Sequence, residues 1–104
     1  MNPNVQILQV SGILDGINGG QLRHTIDQML KAGIRVILID CTEVEFMDSS
    51  GLGALVMALK QTKLSGGQLS LCGINDQVKM LLELTHMNKM FEIFPNCEGF
   101  KQSV

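Results

Sequence analysis

The chain has 104 residues, of which 45% are hydrophobic and 17% charged, with a formal charge of -2. That length suits one domain with one core, and the composition argues against disorder. Only eight Lys and Arg are present, too scattered to supply the cationic face that a phosphate backbone needs, so nucleic acid is not expected as a partner. No stretch approaches the roughly eighteen apolar residues of a spanning helix, and Met1-Asn2-Pro3-Asn4 lacks the basic and apolar regions of a signal peptide. The expectation is a single cytoplasmic domain over residues 1–104 with no membrane insertion.

Cys41, Cys72 and Cys97 are odd in number and far apart, a poor disulfide framework. They are expected as small buried hydrophobes in a reducing compartment. His24 and His86 fall in no HExxH pattern and no CxxC is present, so neither metal nor cofactor is expected.

In chain order, Val5 to Ser11 reads as a strand ended by Gly12. Asp15-Gly16-Ile17-Asn18-Gly19-Gly20 reads as a loop, followed by a helix over about 19–32 whose Leu22, Ile26, Met29 and Leu30 share one face. Asn18 is the expected N-cap and Gly33 the stop. Ile34 to Asp40 is a nearly continuous β-branched run of the kind found in a strand buried on both faces. Glu43 to Met47 is a short bridge with Val44, Phe46 and Met47 as candidates to point inward. A helix begins near Gly51, with Leu52, Leu55, Val56 and Leu59 on its core face, and Ser65-Gly66-Gly67 ends it. Gln68 to Cys72 is the third strand. A helix over about 76–84 follows, capped by Asn75; Phe91 to Phe94 is an edge strand, Pro95-Asn96 breaks it, and the tail from Cys97 forms one short helical turn. The β-α-β-α-β-α-β order predicts an α/β fold with a mainly parallel sheet and right-handed crossovers.

The polar turn Asp48-Ser49-Ser50-Gly51-Leu52-Gly53 carries the chemistry. It places two hydroxyls and a carboxylate before a helix whose first four N–H groups lack intrahelical partners, a terminus that favours an anion such as a phosphoryl group. Capping explains the same turn more simply, with Ser50 or Asp48 as N-cap and the glycines permitting close packing. Both roles can coexist, one serine capping while the other faces solvent. Catalysis is not indicated, because no base of assignable geometry accompanies Ser49, and no GxxxxGK[ST] loop is present.

The segment Phe46-Met47-Asp48-Ser49-Ser50-Gly51-Leu52-Gly53-Ala54-Leu55 resembles the signature turn of the STAS domain family, in particular of the bacterial anti-sigma-factor antagonists. Gly12-Ile13-Leu14-Asp15, Gly33 to Asp40, Gly66-Gly67-Gln68-Leu69, and Leu82 to Thr85 with Phe91 to Pro95 resemble further family segments in order and spacing. The resemblance covers nearly the whole chain. It implies a STAS-like four-stranded, mostly parallel or mixed sheet packed with three to four helices. It further implies a non-enzymatic switch that in its unphosphorylated form sequesters an anti-sigma factor with serine kinase activity. Ser49 matches the phosphorylated serine, and a PP2C-type phosphatase resets it. Asp15, Asn18, Asp48, Ser49, Ser50, Gly51, Leu52 and Gly53 are the implied partner and kinase interface, with Ser50 assigned to capping or support of Ser49. The alternative output is a STAS binding module in a partner-switching pathway that regulates an enzyme, a transporter or secretion.

Three positions depart from the family pattern. Only Met1 to Asn4 precede the first strand where relatives carry an additional one, so the sheet edge is expected to be open, allowing weak self-association. Asn18 stands where many relatives have threonine. His86 replaces a glycine after the helix-ending Leu-Thr, and His tolerates the left-handed backbone such a turn requires.

Overall fold

The computed structural model describes residues 5–103. Four strands, β1 (Val5–Leu14), β2 (Val36–Met47), β3 (Gln68–Cys72) and β4 (Glu92–Phe94), alternate with helices α1 (Gly16–Lys31), α2 (Ser49–Leu64), α3 (Asp76–Leu84) and α4 (Cys97–Ser103). The sheet order is β1-β2-β3-β4 and every pairing is parallel. Each connection moves one strand over in the same direction, so crossovers of one hand set α1, α2 and α3 on one face. There Leu22, Ile26, Leu30, Leu52, Leu55, Leu59, Val78 and Leu82 pack on Ile37, Ile39, Leu69 and Leu71. The opposite face holds a smaller cluster of Val5, Leu38 and Cys72, closed by Phe100 of α4. Leu38 and Ile39 are both fully buried, which explains why the central strand reads as continuous hydrophobics rather than as an alternation.

The first two strands run longer than their sequence suggests. β1 continues through Gly12 to Leu14, and β2, beginning at Val36 rather than Ile34, continues through the expected bridge to Met47. Their register shifts between Gln9 and Ser11 and again between Gly12 and Ile13, with β2 supplying the extra residue each time, as in a bulge. Gly12, at φ 73°, absorbs part of this irregularity instead of ending the strand. The second shift turns Phe46 away from the core: it is 47% exposed, while Val44 and Met47 are buried.

Beyond Asp40, no strand among the described residues pairs with β2 on its β3 side. Side chains from the start of α3 take that place. The Asn75 amide donates to the carbonyls of Val44 and Glu45, both at 3.1 Å. Gln77 accepts from Met47 N at 2.9 Å and donates to Met47 O at 2.8 Å, imitating one rung of a ladder. Asn75 also caps α3, accepting from Val78 N at 2.9 Å. His86 adopts the left-handed conformation, φ 60°.

The cysteines correct the expectation of free thiols. Cys72 and Cys97 form a disulfide with Cα atoms 5.4 Å apart, within the usual bridging range. β4 lies beside β3, and α4 begins just past β4, so topology rather than sequence spacing brings the two residues together. Cys41 is a free, buried thiol. Burial pushes it up to about 12, and the charge of Asp40 acts in the same direction.

Candidate functional site

In register, Leu14 at the end of β1 lies beside Met47 at the end of β2, and both are buried. Each is followed by an aspartate and then a helix. Asp15 and Asp48 have extended backbones, and their carboxylates accept from the N–H three residues ahead, Asn18 at 2.9 Å and Gly51 at 2.8 Å. The two helix starts are thus equivalent and side by side, tied by the Asp48 N–H donating to the Leu14 carbonyl at 3.2 Å.

Two sequence assignments change here. α1 starts at Gly16, not near residue 19, and its cap is Asp15 rather than Asn18. Asn18 lies inside the first turn and its amide donates to the Ile13 carbonyl at 2.6 Å, holding the end of β1 against the helix. α2 starts at Ser49, and its cap is Asp48. Ser50 is therefore not the cap; its Cβ faces Gly16, 3.4 Å from where a side chain on that glycine would begin. A carboxylate displaced both alternatives because each aspartate is the last extended residue, the only position from which a short acceptor reaches back over the first turn.

Gly51 is set by contact. A Cβ there would lie 1.9 Å from the Leu14 carbonyl oxygen, so only glycine lets the first turn of α2 settle onto the end of β1. Gly51 and Leu52 of the implied interface are buried beneath the surface, where they support the turn; Gly53 is exposed. Asp15 and Asp48 are half-buried, and Asn18, Ser49 and Ser50 are exposed. Among the described residues neither serine hydroxyl has a hydrogen-bond partner.

Among three exposed apolar side chains near this turn, Ile13 and Ile17 were not singled out by the sequence, and Phe46, expected to point inward, faces solvent. Ile13 and Phe46 are register partners, 52% and 47% exposed, and Ile17 in the first turn of α1 is 76% exposed. Solvent-facing hydrophobics around a polar turn suit protein contact. No local signal could have found them: Phe46 and Ile13 fall on the face opposite Met47 and Leu14, which only the register of the bulged pair reveals.

The described residues form a parallel α/β domain that presents an exposed serine at the start of a capped helix, with exposed hydrophobics nearby. The chain belongs to the STAS domain family, whose model matches residues 1–99. It is 36% identical over 91 residues to the anti-sigma-B factor antagonist of Listeria monocytogenes, covering 86% of this chain and 78% of that protein. A crystal structure of a candidate anti-sigma factor antagonist from Thermotoga maritima superposes with a TM-score of 0.89 at 27% identity, covering 100% of this chain and 90% of that one. The Bacillus anti-sigma factor antagonist SpoIIAA, solved in unphosphorylated and phosphorylated forms, shares the fold with a TM-score of 0.75 at 17% identity; the unphosphorylated structure covers 99% of this chain and 90% of its own. The family is a regulatory, non-catalytic domain. Among the described residues no helix is long and apolar enough to cross a membrane.

Proposed function

We propose that this chain is an anti-sigma-factor antagonist whose Ser49 is the phosphorylated residue. In this reading the unphosphorylated form captures an anti-sigma factor that is also a serine kinase, phosphorylation of Ser49 releases it, and a PP2C-type phosphatase resets the chain. The observation that carries the choice of residue is the division of labour in the turn. Asp48 already caps α2, so the exposed Ser49 hydroxyl is free of a structural duty. Ser50 faces the first turn of α1 at Gly16 and leaves less room for a phosphoryl group. A phosphate at the first position of α2 lies in the positive field of the helix terminus.

The test uses the purified chain and the serine-kinase anti-sigma factors encoded in the same genome. Incubation with ATP and fragmentation mass spectrometry should locate the phosphate on Ser49. Ser49→Ala should retain capture of the kinase and lose modification, and Ser49→Asp should bind more weakly. Phosphate on Ser50, or equal capture of modified and unmodified chain, would refute the site or the switch respectively.

A further inference from the structure

Beyond the serine turn, and independently of its reading, the geometry points to Cys72 and Cys97 as a reversible redox modification site that fastens α4 over the second face of the sheet. Cys72 is the last residue of β3 and Cys97 the first of α4, so their disulfide ties the C-terminal helix directly to the sheet. α4 has seven residues, too few to hold helical form unaided. Phe100 of α4, 1% exposed, sits in the Val5, Leu38 and Cys72 cluster with its ring edge-to-face against Phe94 at 5.7 Å. The cross-link and the Phe100 ring together help cover an apolar face that would otherwise meet water. The same face presents the exposed Ile13 and Phe46 farther along. The state of the bond thus sets whether the apolar patch of Val5, Ile7 and Leu38 beneath α4 is covered.

The two sulfurs differ in access. Cys72 is fully buried and Cys97 half-exposed, so exchange with a soluble thiol begins at Cys97. With glutathione disulfide as oxidant, the Cys97 thiolate attacks one glutathione sulfur and expels the other as glutathione thiolate. The Cys72 thiolate then attacks the Cys97 sulfur of the mixed disulfide, forming the Cys72–Cys97 bond and releasing the second glutathione. Two protein thiols and one glutathione disulfide become one protein disulfide and two glutathione thiols, and excess glutathione reverses both steps. A carboxylate oxygen of Asp40 lies within 4.8 Å of both sulfurs. Cys41, buried among core side chains, stays outside the exchange.

The experiment equilibrates the full chain in buffers of graded reduced-to-oxidised glutathione ratio, traps free thiols with N-ethylmaleimide for mass spectrometry, and follows amide hydrogen exchange. Cys72 and Cys97 should oxidise together with Cys41 remaining a thiol, and any trapped glutathione adduct should sit on Cys97. Exchange over residues 97–103 should be at least tenfold faster in the reduced chain, with α1, α2 and α3 unchanged. The Cys72→Ser, Cys97→Ser double variant should exchange like the reduced chain in every buffer. The proposal is overturned if the bond forms at no glutathione ratio, or if exchange over 97–103 is the same in both states. It is equally overturned if the reduced chain takes up one equivalent of zinc with 97–103 still protected, since Asp40, Cys72 and Cys97 would then be metal ligands.

Discussion

Replacing Asp48 and Ser50 separately distinguishes a capping carboxylate from a capping hydroxyl. Asp48→Ala removes a 2.8 Å hydrogen bond to the Gly51 N–H at a part-buried site, leaving that donor without its partner under the end of β1. Cap removal costs about 0.5–2 kcal/mol, and the partial burial places this case at about 1–2 kcal/mol. For a domain of this size that lowers Tm by about 4–8 °C per kcal/mol. Asp48→Asn keeps the acceptor and loses only the charge at the helix terminus, about 0.3–1 kcal/mol. Ser50→Ala touches an exposed side chain with no hydrogen bond and should stay within about 0.5 kcal/mol of the parent. Thermal and urea unfolding by circular dichroism measure all three. A Ser50→Ala cost equal to or above that of Asp48→Ala would show that the hydroxyl caps α2.

Gly51→Ala drives a methyl toward the Leu14 carbonyl oxygen, 1.9 Å from the ideal Cβ position; it should cost about 1–3 kcal/mol by urea unfolding, whereas Gly53→Ala, with open space around it, should be neutral or stabilising by up to about 1 kcal/mol. Gln77→Ala leaves the backbone N–H and C=O of Met47 without their side-chain partners; a loss of about 1–3 kcal/mol and faster amide exchange at Met47 are expected. Cys41 has a raised folded-state pKa, so the neutral thiol is favoured by folding. Its stabilisation is full below the ordinary thiol value of about 9.0 and is lost at about 1.4 kcal/mol per pH unit as pH rises toward about 12. Urea unfolding of Cys41→Ala should lack that part of the alkaline loss, and an identical pH profile would refute it.

Most of the architecture was legible in the chain because the strong signals are local. The β-branched run at Val36 to Ile39, the helical spacing of Leu52, Leu55 and Leu59, and Asn75 before α3 each report their own element. What stayed hidden depends on partners distant in sequence. Gly12 reads as a strand terminator and acts inside a bulged pair, since a bulge exists only relative to its neighbour β2. Asn18 has the right chemistry for a cap, but Asp15 lies where the backbone is still extended, and that boundary is fixed by how far β1 pairs. The Gln77 bonds to Met47 and the Cys72–Cys97 bond span 30 and 25 positions, and no periodicity announces either. Within the candidate site the turn itself was readable from residue type, whereas the apolar rim of Ile13, Ile17 and Phe46 required the register.

A phosphoryl group on Ser49 should signal without remodelling the domain. At the first position of α2 it gains about 0.3–1 kcal/mol from the helix terminus, screened by exposure, and it is opposed by the capping carboxylates Asp48 and Asp15, whose influence in solvent is of similar size. The remainder is small beside the roughly 5–15 kcal/mol that hold a domain together. Binding weighs differently. A partner that packs on Ile13, Ile17 and Phe46 must strip water from the neighbouring turn, and an unpaired charge of about -2 makes that desolvation cost several kcal/mol. A penalty of about 3 kcal/mol corresponds to more than a hundredfold in Kd. On the proposed reading, the phosphorylated chain should therefore melt within a few degrees of the unmodified one while its affinity for the proposed kinase partner falls by about a hundredfold or more. Calorimetric melting of both forms and titration of each with the partner measure the two quantities. A large Tm shift with little change in affinity would mean that the phosphate acts on the fold and not on the interface.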